Sequence, residues 1–283
     1  MFLFGGGIST AQAPVLLERF ARPGPMAGVV AKVDLRDPRV GVKVVLADPP
    51  PAGGKGAATD CAGRLEVPSA VARRQDFAVA VNASFFRAAP RQVGGQPVPY
   101  FVGNCGMPVG WHFSEGQLRA RPASDRLRAT VVVHASGRVT LHPGLAALPP
   151  DTRSAVSGNA MVLEAGKIPP AEGQELRHPR TAVGLSADGN TLFLVAVDGR
   201  QEGHSQGATL AELGTLLKAL GAHDAVNLDG GGSTAMVVKD SSTGVFSVVN
   251  RPSELASGLP GVRLERPVVD VLGVSLAPEA PVK

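Results

Sequence analysis

The chain has 283 residues, 44% hydrophobic, 18% charged and 4% aromatic, with a formal net charge of +4. That is enough apolar material for a substantial core, in one large domain or two small ones. The positive charge is small and dispersed, with no Lys/Arg run beyond spots such as Arg73-Arg74, and aromatics are scarce; both features argue against a nucleic-acid partner. No stretch reaches the ~18 apolar residues that a membrane-spanning helix needs.

At the N-terminus, Met1-Phe2-Leu3-Phe4 followed by Ala11-Gln12-Ala13 has the look of a signal tail with an A-x-A cleavage site, although the basic n-region is missing. Residues 1–27 therefore read as a signal remnant and N-terminal segment, residues 28–283 as a single domain, and the expected location is secreted or periplasmic. The two cysteines, Cys61 and Cys105, can form one disulfide in a secreted chain or stay as two buried thiols. Neither has a CxxC partner, which leaves no zinc site.

Gly 35 and Pro 24 predict many turns and short strands. Val29 to Val33 and Val40 to Leu46 flank the turn Arg36-Asp37-Pro38 and read as a hairpin. A short helix is expected around Ser69 to Gln75, and an apolar strand from Phe77 to Val81. Further hairpins are Thr130 to His134 with Arg138 to Leu141, Thr181 to Leu185 with Thr191 to Val197 across Asp188-Gly189, and Ala235 to Val238 with Val245 to Val249. The last strand spans Val268 to Val274. The clearest helix runs from Leu210 to Leu220, with leucines at 210, 213, 217 and 220, a capping box at Thr209 and Glu212, and Gly221 as its stop. The fold class is α+β: a mixed, β-rich sheet core with hairpins, a few flanking helices and one strand–helix–strand unit.

Four polar clusters follow apolar lead-ins, where rigid strands present functional groups on loops. Asn82-Ala83-Ser84 ends a strand with two hydrogen-bonding side chains, and is also a glycosylation sequon. Arg180 enters a buried strand and can hold a phosphate or carboxylate through its fork of donors. Asp198-Gly199-Arg200, with Glu202 and His204 nearby, closes the most apolar strand. Asn227-Leu228-Asp229-Gly230-Gly231-Gly232-Ser233 combines a carboxylate with a glycine triplet whose amides can cradle an anion. A strand, Met236-Val237-Val238, follows that triplet where a dinucleotide-binding loop opens a helix, and no GxxxxGK[ST] occurs, so both nucleotide-loop readings fail. The Leu210 helix would join Asp198 and Asp229 on neighbouring parallel strands, placing both carboxylates at one sheet edge as glycosyl chemistry requires. Glu212 is a third carboxylate, already explained by the cap. The six histidines show no metal-ligand spacing.

Taken in order, Asn82 to Phe86, Arg180 to Gly184, Val197 to Arg200, Thr209 to Gly221, Asn227 to Ser233 and Asn250-Arg251-Pro252-Ser253 resemble the phosphodiester glycosidase family. The resemblance implies hydrolysis of a sugar-1-phosphodiester of the GlcNAc-1-phosphodiester kind, with release of the sugar and a phosphomonoester, by a secreted or envelope enzyme without a cofactor. It points to Asp229 and then Asp198, with Glu212 ranked lower, as catalytic. Asn82, Ser84, Arg180, Arg200, Asn227, Gly230, Gly231, Gly232, Ser233 and Arg251 would hold the phosphorylated glycan. Two other readings stand beside it. One is a phosphodiesterase in which Asp198, Asn227 and Asp229 hold Ca²⁺ or Mg²⁺. The other is a polysaccharide-binding module, for which Trp111 and Tyr100 supply little stacking surface.

Overall fold

The computed structural model describes residues 13–49, 61–90, 92–93, 96–122, 128–170, 176–255 and 261–278. Most of the signal-like stretch, residues 1–12, lies outside the described residues. A six-stranded antiparallel sheet runs in the order Val15–Arg22, Met26–Asp34, Thr191–Val197, Arg180–Leu185, Asp224–Asn227, Ala160–Leu163. A five-stranded sheet has the order Phe246–Val248, Met236–Lys239, Val79–Asn82, Asp270–Leu276, Val40–Leu46. Another five-stranded sheet orders Gln117–Ala120, His112–Ser114, Thr152–Ser157, Thr130–His134, Val139–His142.

All three sheets share one core. Val29, Val33, Leu194 and Val226 of the first sheet meet Val44, Val81, Met236 and Leu272 of the second and Val131 and Val156 of the third. The outer face of the six-stranded sheet is covered by the Leu210–Leu220 helix, through Leu213, Leu216 and Leu217 on Ala182, Val195 and Val197. The Pro68–Arg74 helix covers the second sheet through Val71 and Ala72. Burial on both faces is why Thr191–Val197 is an unbroken apolar run rather than an alternating one.

The Leu210–Leu220 helix has its expected limits. Thr209 Oγ1 accepts from the Glu212 amide at 3.1 Å, Glu212 Oε2 accepts from the Thr209 amide at 2.9 Å, and Gly221 stops the helix at φ 104°. Three of the expected hairpins form. The first does not: Met26–Asp34 pairs with Val15–Arg22 and Thr191–Val197, while Val40–Leu46 pairs with Asp270–Leu276 in a different sheet. The turn at residues 35–39 carries the chain between sheets, and local pattern does not distinguish that from a hairpin. Val15–Arg22, inside the segment set aside as a signal remnant, is an edge strand paired along its whole length.

Cys61 and Cys105 are disulfide-bonded, with a Cα–Cα distance of 5.2 Å. The bond ties the start of a small sheet (Gly63–Arg64, Cys105–Pro108, Phe86–Ala88) across 44 residues of sequence. Replacing both cysteines with serine should lower the unfolding free energy by about 4 kcal/mol, from the loop-closure entropy returned to the unfolded chain. Urea denaturation measures it, and an unchanged midpoint would refute it.

Candidate active site

The strands that lead into Asp198 and Asp229 are not neighbours. Both are antiparallel to Arg180–Leu185, which lies between them, so they run parallel to each other with their C-terminal ends at the same sheet edge. The expected common edge is there; the expected adjacency is not. One intervening strand separates their backbones by about 10 Å, two interstrand spacings.

Both Asp-Gly pairs press against the entry to that middle strand. A Cβ on Gly199 would lie 2.7 Å from the Pro179 nitrogen, and one on Gly230 would lie 2.5 Å from the Pro179 oxygen. Glycine is required at both because backbone, which cannot swing aside, fills the space. Gly230→Ala should therefore displace the Asp229 loop and cut turnover ~10²-fold. Steady-state kinetics would show it, and a wild-type rate would show that the loop is not held this way.

The Asp229 loop is tied to two sheets at once. The Asp229 amide donates to the Ala83 oxygen at 2.9 Å, and Asn82 Nδ2 donates to the Asp229 oxygen at 2.6 Å. Asn82 Oδ1 accepts from Thr181 Oγ1 at 2.7 Å and from the Ala235 amide at 3.2 Å. Asn82 is fully buried, so it is a strut for the loop rather than a substrate contact, and its sequon is inaccessible in the folded chain.

Behind this strut lies a buried polar chain that the sequence motifs did not reveal. Asp270 Oδ1 accepts from the Ser84 amide at 2.8 Å, and Asp270 Oδ2 accepts from Ser84 Oγ at 2.5 Å and from His112 Nδ1 at 2.7 Å. His112 Nε2 is 3.0 Å from Ser114 Oγ. His112 and Asp270 are both fully buried. Ser84 thus faces inward. The signal for this cluster was a carboxylate inside the apolar run Val268 to Val274.

Asp229 itself is half-buried. Burial pushes its carboxyl up to about 6; the Ser233 hydroxyl, the Arg266 charge and the Gly230 amide pull it down, and the Asp270 charge adds to the rise. Ser233 Oγ and Thr234 Oγ1 are buried without a hydrogen-bond partner of good geometry among the described residues.

Asp198 is almost wholly buried and saturated with donors. Oδ1 accepts from the Arg251 amide at 2.7 Å and Asn250 Nδ2 at 3.2 Å, and Oδ2 lies 2.8 Å from His204 Nε2. A carboxylate can only accept, so His204 Nε2 carries a proton in this contact and its second ring nitrogen, Nδ1, is left for other partners. The half-buried His204 is the member of this dyad that faces outward. Asn250 also links Asp198 to the glycine loop, donating to the Thr234 oxygen at 3.2 Å and accepting from the Met236 amide at 2.7 Å.

The remaining expected residues divide. Arg200 lies against the glycine loop, its guanidinium 3.3 Å from a Cβ built on Gly231, and its Nη2 is 3.3 Å from His178 Nδ1. Burial and the charges of Arg180 and Arg200 lower the His178 pKa. Arg180 is turned to backbone, donating to the Ala208 and Leu176 oxygens at 2.9 and 3.1 Å. Arg251 joins the site through its amide, and its side chain is exposed. Asn227 is fully buried, with Nδ2 donating to Asn159 Oδ1 at 2.7 Å and Oδ1 without a hydrogen-bond partner among the described residues. Glu212 is engaged on both oxygens, by the Thr209 amide and by Arg177, which makes it part of the helix cap.

Two amides of the glycine triplet are already engaged within the chain rather than open to an anion. The Gly231 amide donates to the Pro179 oxygen at 2.9 Å, and the Gly230 amide bonds the Asp229 carboxylate. What the glycines supply is clearance: Arg200 packs beside Gly231 and Arg266 beside Gly232. Clefts of about 600 and 670 Å³ lie elsewhere; the first is lined by Asp37, Arg138, Asp188 and Asp224, at the turn end of the sheet opposite Asp198 and Asp229. Among the described residues, no three His, Cys, Asp or Glu side chains gather at metal-binding spacing.

The chain resembles the catalytic domain of zebrafish N-acetylglucosamine-1-phosphodiester alpha-N-acetylglucosaminidase, auto-inhibited by its pro-peptide, with TM-score 0.65 and 21% identity, covering 95% of this chain and 85% of that one. A hypothetical protein from Synechocystis shares the fold at TM-score 0.59 and 17% identity, covering 93% and 62%. The SPbeta prophage-derived protein YomE of Bacillus subtilis (strain 168) is 35% identical over 100 residues, which span 35% of this chain and 13% of that protein. Residues 75–275 match the family described as phosphodiester glycosidase, and the chain belongs to that family.

Proposed function

We propose that this chain hydrolyses the glycosidic bond of a sugar-1-phosphodiester, of the GlcNAc-1-phosphodiester kind, in a phosphorylated glycan outside the cytoplasm. The observation that carries the reading is Asp229, a carboxyl raised to about 6 on a loop flanked by two arginines. A phosphomonoester has its second pKa near ~6, so the proton donor and the leaving group are matched. Asp229 gives its proton to the bridging phosphate oxygen as the bond from C1 to that oxygen breaks. His204, oriented by Asp198, takes a proton from the water whose oxygen bonds C1. The bound phosphodiester anion raises Asp229 further and keeps it protonated nearer neutrality. The disulfide favours an oxidising compartment, secreted or periplasmic.

The metal-dependent phosphodiesterase reading is weaker. Both Asp198 oxygens face N–H donors, and Asn227 Nδ2 is turned to Asn159, so neither is arranged for a hard cation. Hydrolysis of UDP-GlcNAc and of methyl GlcNAc-1-phosphate in H₂¹⁸O is the test. Label in the released sugar is expected, with no loss of rate in EDTA. Label in the phosphate would replace this reading with P–O cleavage, and binding without turnover would leave a binding module.

A further inference from the structure

Arg266 was not among the residues the motifs pointed to, and its setting is unusual. Its guanidinium carbon lies 4.1 Å from the Tyr100 ring centroid. On the glycine loop, a Cβ built on Gly232 would fall 2.3 Å from Arg266 Nη2 and 2.4 Å from its guanidinium carbon. The cation and its Glu254 partner thus both lie against the bare Cα of Gly232, with the guanidinium covered on its face by the Tyr100 ring. Tyr100 is itself braced by Phe86, edge to face, with ring centroids 5.8 Å apart. The loop that carries Tyr100 is pinned by Asn104 Nδ2, which donates to the Pro99 oxygen at 2.7 Å, one residue from the Cys61–Cys105 crosslink.

The packing limits where Arg266 can be satisfied. A guanidinium donates in its own plane through five N–H groups. Among the described residues its one hydrogen bond goes from Nη2 to Glu254 Oε2 at 2.7 Å, and Nε is buried without a partner. Its charge is felt at the Asp229 carboxyl. A fixed planar cation with unmet donors beside the proton-transferring group suits a ligand with several anionic oxygens. Glu254 holds that place in the free chain.

We propose that Arg266 is the phosphate-binding residue of this site, that Tyr100 fixes its plane, and that Glu254 is the counter-ion which the substrate phosphate displaces. The proposal rests on the sugar-1-phosphodiester reading and names the subsite it needs. It also separates Arg266 from Arg200, which packs beside Gly231 and partners His178 instead.

The test is calorimetric binding of GlcNAc-1-phosphate and of free GlcNAc to the whole chain, beside turnover of methyl GlcNAc-1-phosphate. Arg266→Gln should weaken GlcNAc-1-phosphate binding about 10- to 100-fold and leave GlcNAc binding unchanged. Arg266→Lys, which keeps the charge and loses the fork, should recover only part. Tyr100→Leu should weaken phosphate binding several-fold, and Tyr100→Phe should not. Glu254→Gln should tighten it, because a competing anion is gone. That opposite sign distinguishes a ligand site from a structural ion pair, whose two halves would fail together. Wild-type affinity in both Arg266 variants, equal weakening by Glu254→Gln, or no binding of GlcNAc-1-phosphate by the wild type would each overturn the proposal. Turnover is read separately: a chain that binds as described without hydrolysing loses the glycosidase reading and keeps this one.

Discussion

Asp229→Asn should abolish turnover and, at neutral pH, make the protein more stable. The activity loss follows from removing the proton donor, an effect of ~10²–10⁴-fold. The stability gain follows from linkage. In the folded chain the Asp229 carboxyl holds its proton up to about 6, against a reference of 3.8. Between those values the folded state binds more protons than the unfolded state, so stability falls as pH rises through that window. Above it the buried carboxylate costs about 1–3 kcal/mol, and asparagine carries no such cost. The melting temperature of the variant should exceed that of the wild type at pH 7.5, with the difference shrinking towards pH 4. Near wild-type turnover would remove Asp229 from the chemistry. An equal difference at both pH values would show that its carboxyl is not held high.

Asp270→Asn should be the most damaging change outside the glycine loop. Three donors converge on the Asp270 carboxylate: the Ser84 amide, Ser84 Oγ and His112 Nδ1. An amide presents its own N–H groups to some of them and leaves buried polar atoms unpaired. Breaking a buried pair of this kind costs about 3–5 kcal/mol. The damage also has a direction at the active site. Ser84 is two residues from Asn82, whose side chain holds the Asp229 oxygen, and Ala83 between them accepts from the Asp229 amide. The Asp270 charge contributes to the raised Asp229 pKa. Its removal should move the Asp229 limb of the kcat profile to lower pH, a shift that loosened packing alone would not produce. Urea denaturation and a pH–rate profile on the refolded variant read the two effects. Full stability would refute the first, and an unmoved limb the second.

The placement of the Asp229 and Asp198 loops at one sheet edge was legible because each carboxylate follows an apolar strand and precedes glycine, a local pattern with a local cause. The helix between them was legible to the residue, since its cap, stripe and stop are all short-range. The roles of the other motif residues were not. Asn82 and Ser84 look alike in sequence as strand-end donors, yet one struts the Asp229 loop and the other anchors Asp270. Arg180 reads as an anion clamp until the Ala208 and Leu176 oxygens are seen to receive it. Glu254, Arg266 and Tyr100 carried no motif at all: Glu254 and Arg266 meet across a short hairpin, and Tyr100 reaches Arg266 from a distant segment.

By itself, then, the sequence determined many of the strands, though not Val15–Arg22 or Thr152–Ser157, together with the capped helix, the family and the two carboxylate loops, all properties of contiguous residues and their periodicity. Only the tertiary structure decided which strands are neighbours, that Arg180–Leu185 separates the two carboxylate-bearing ends, and which arginine flanks which glycine. Sheet pairing and side-chain partnership depend on contacts between distant segments. Alternation and turn residues constrain which face of a strand is buried, but not what is buried against it.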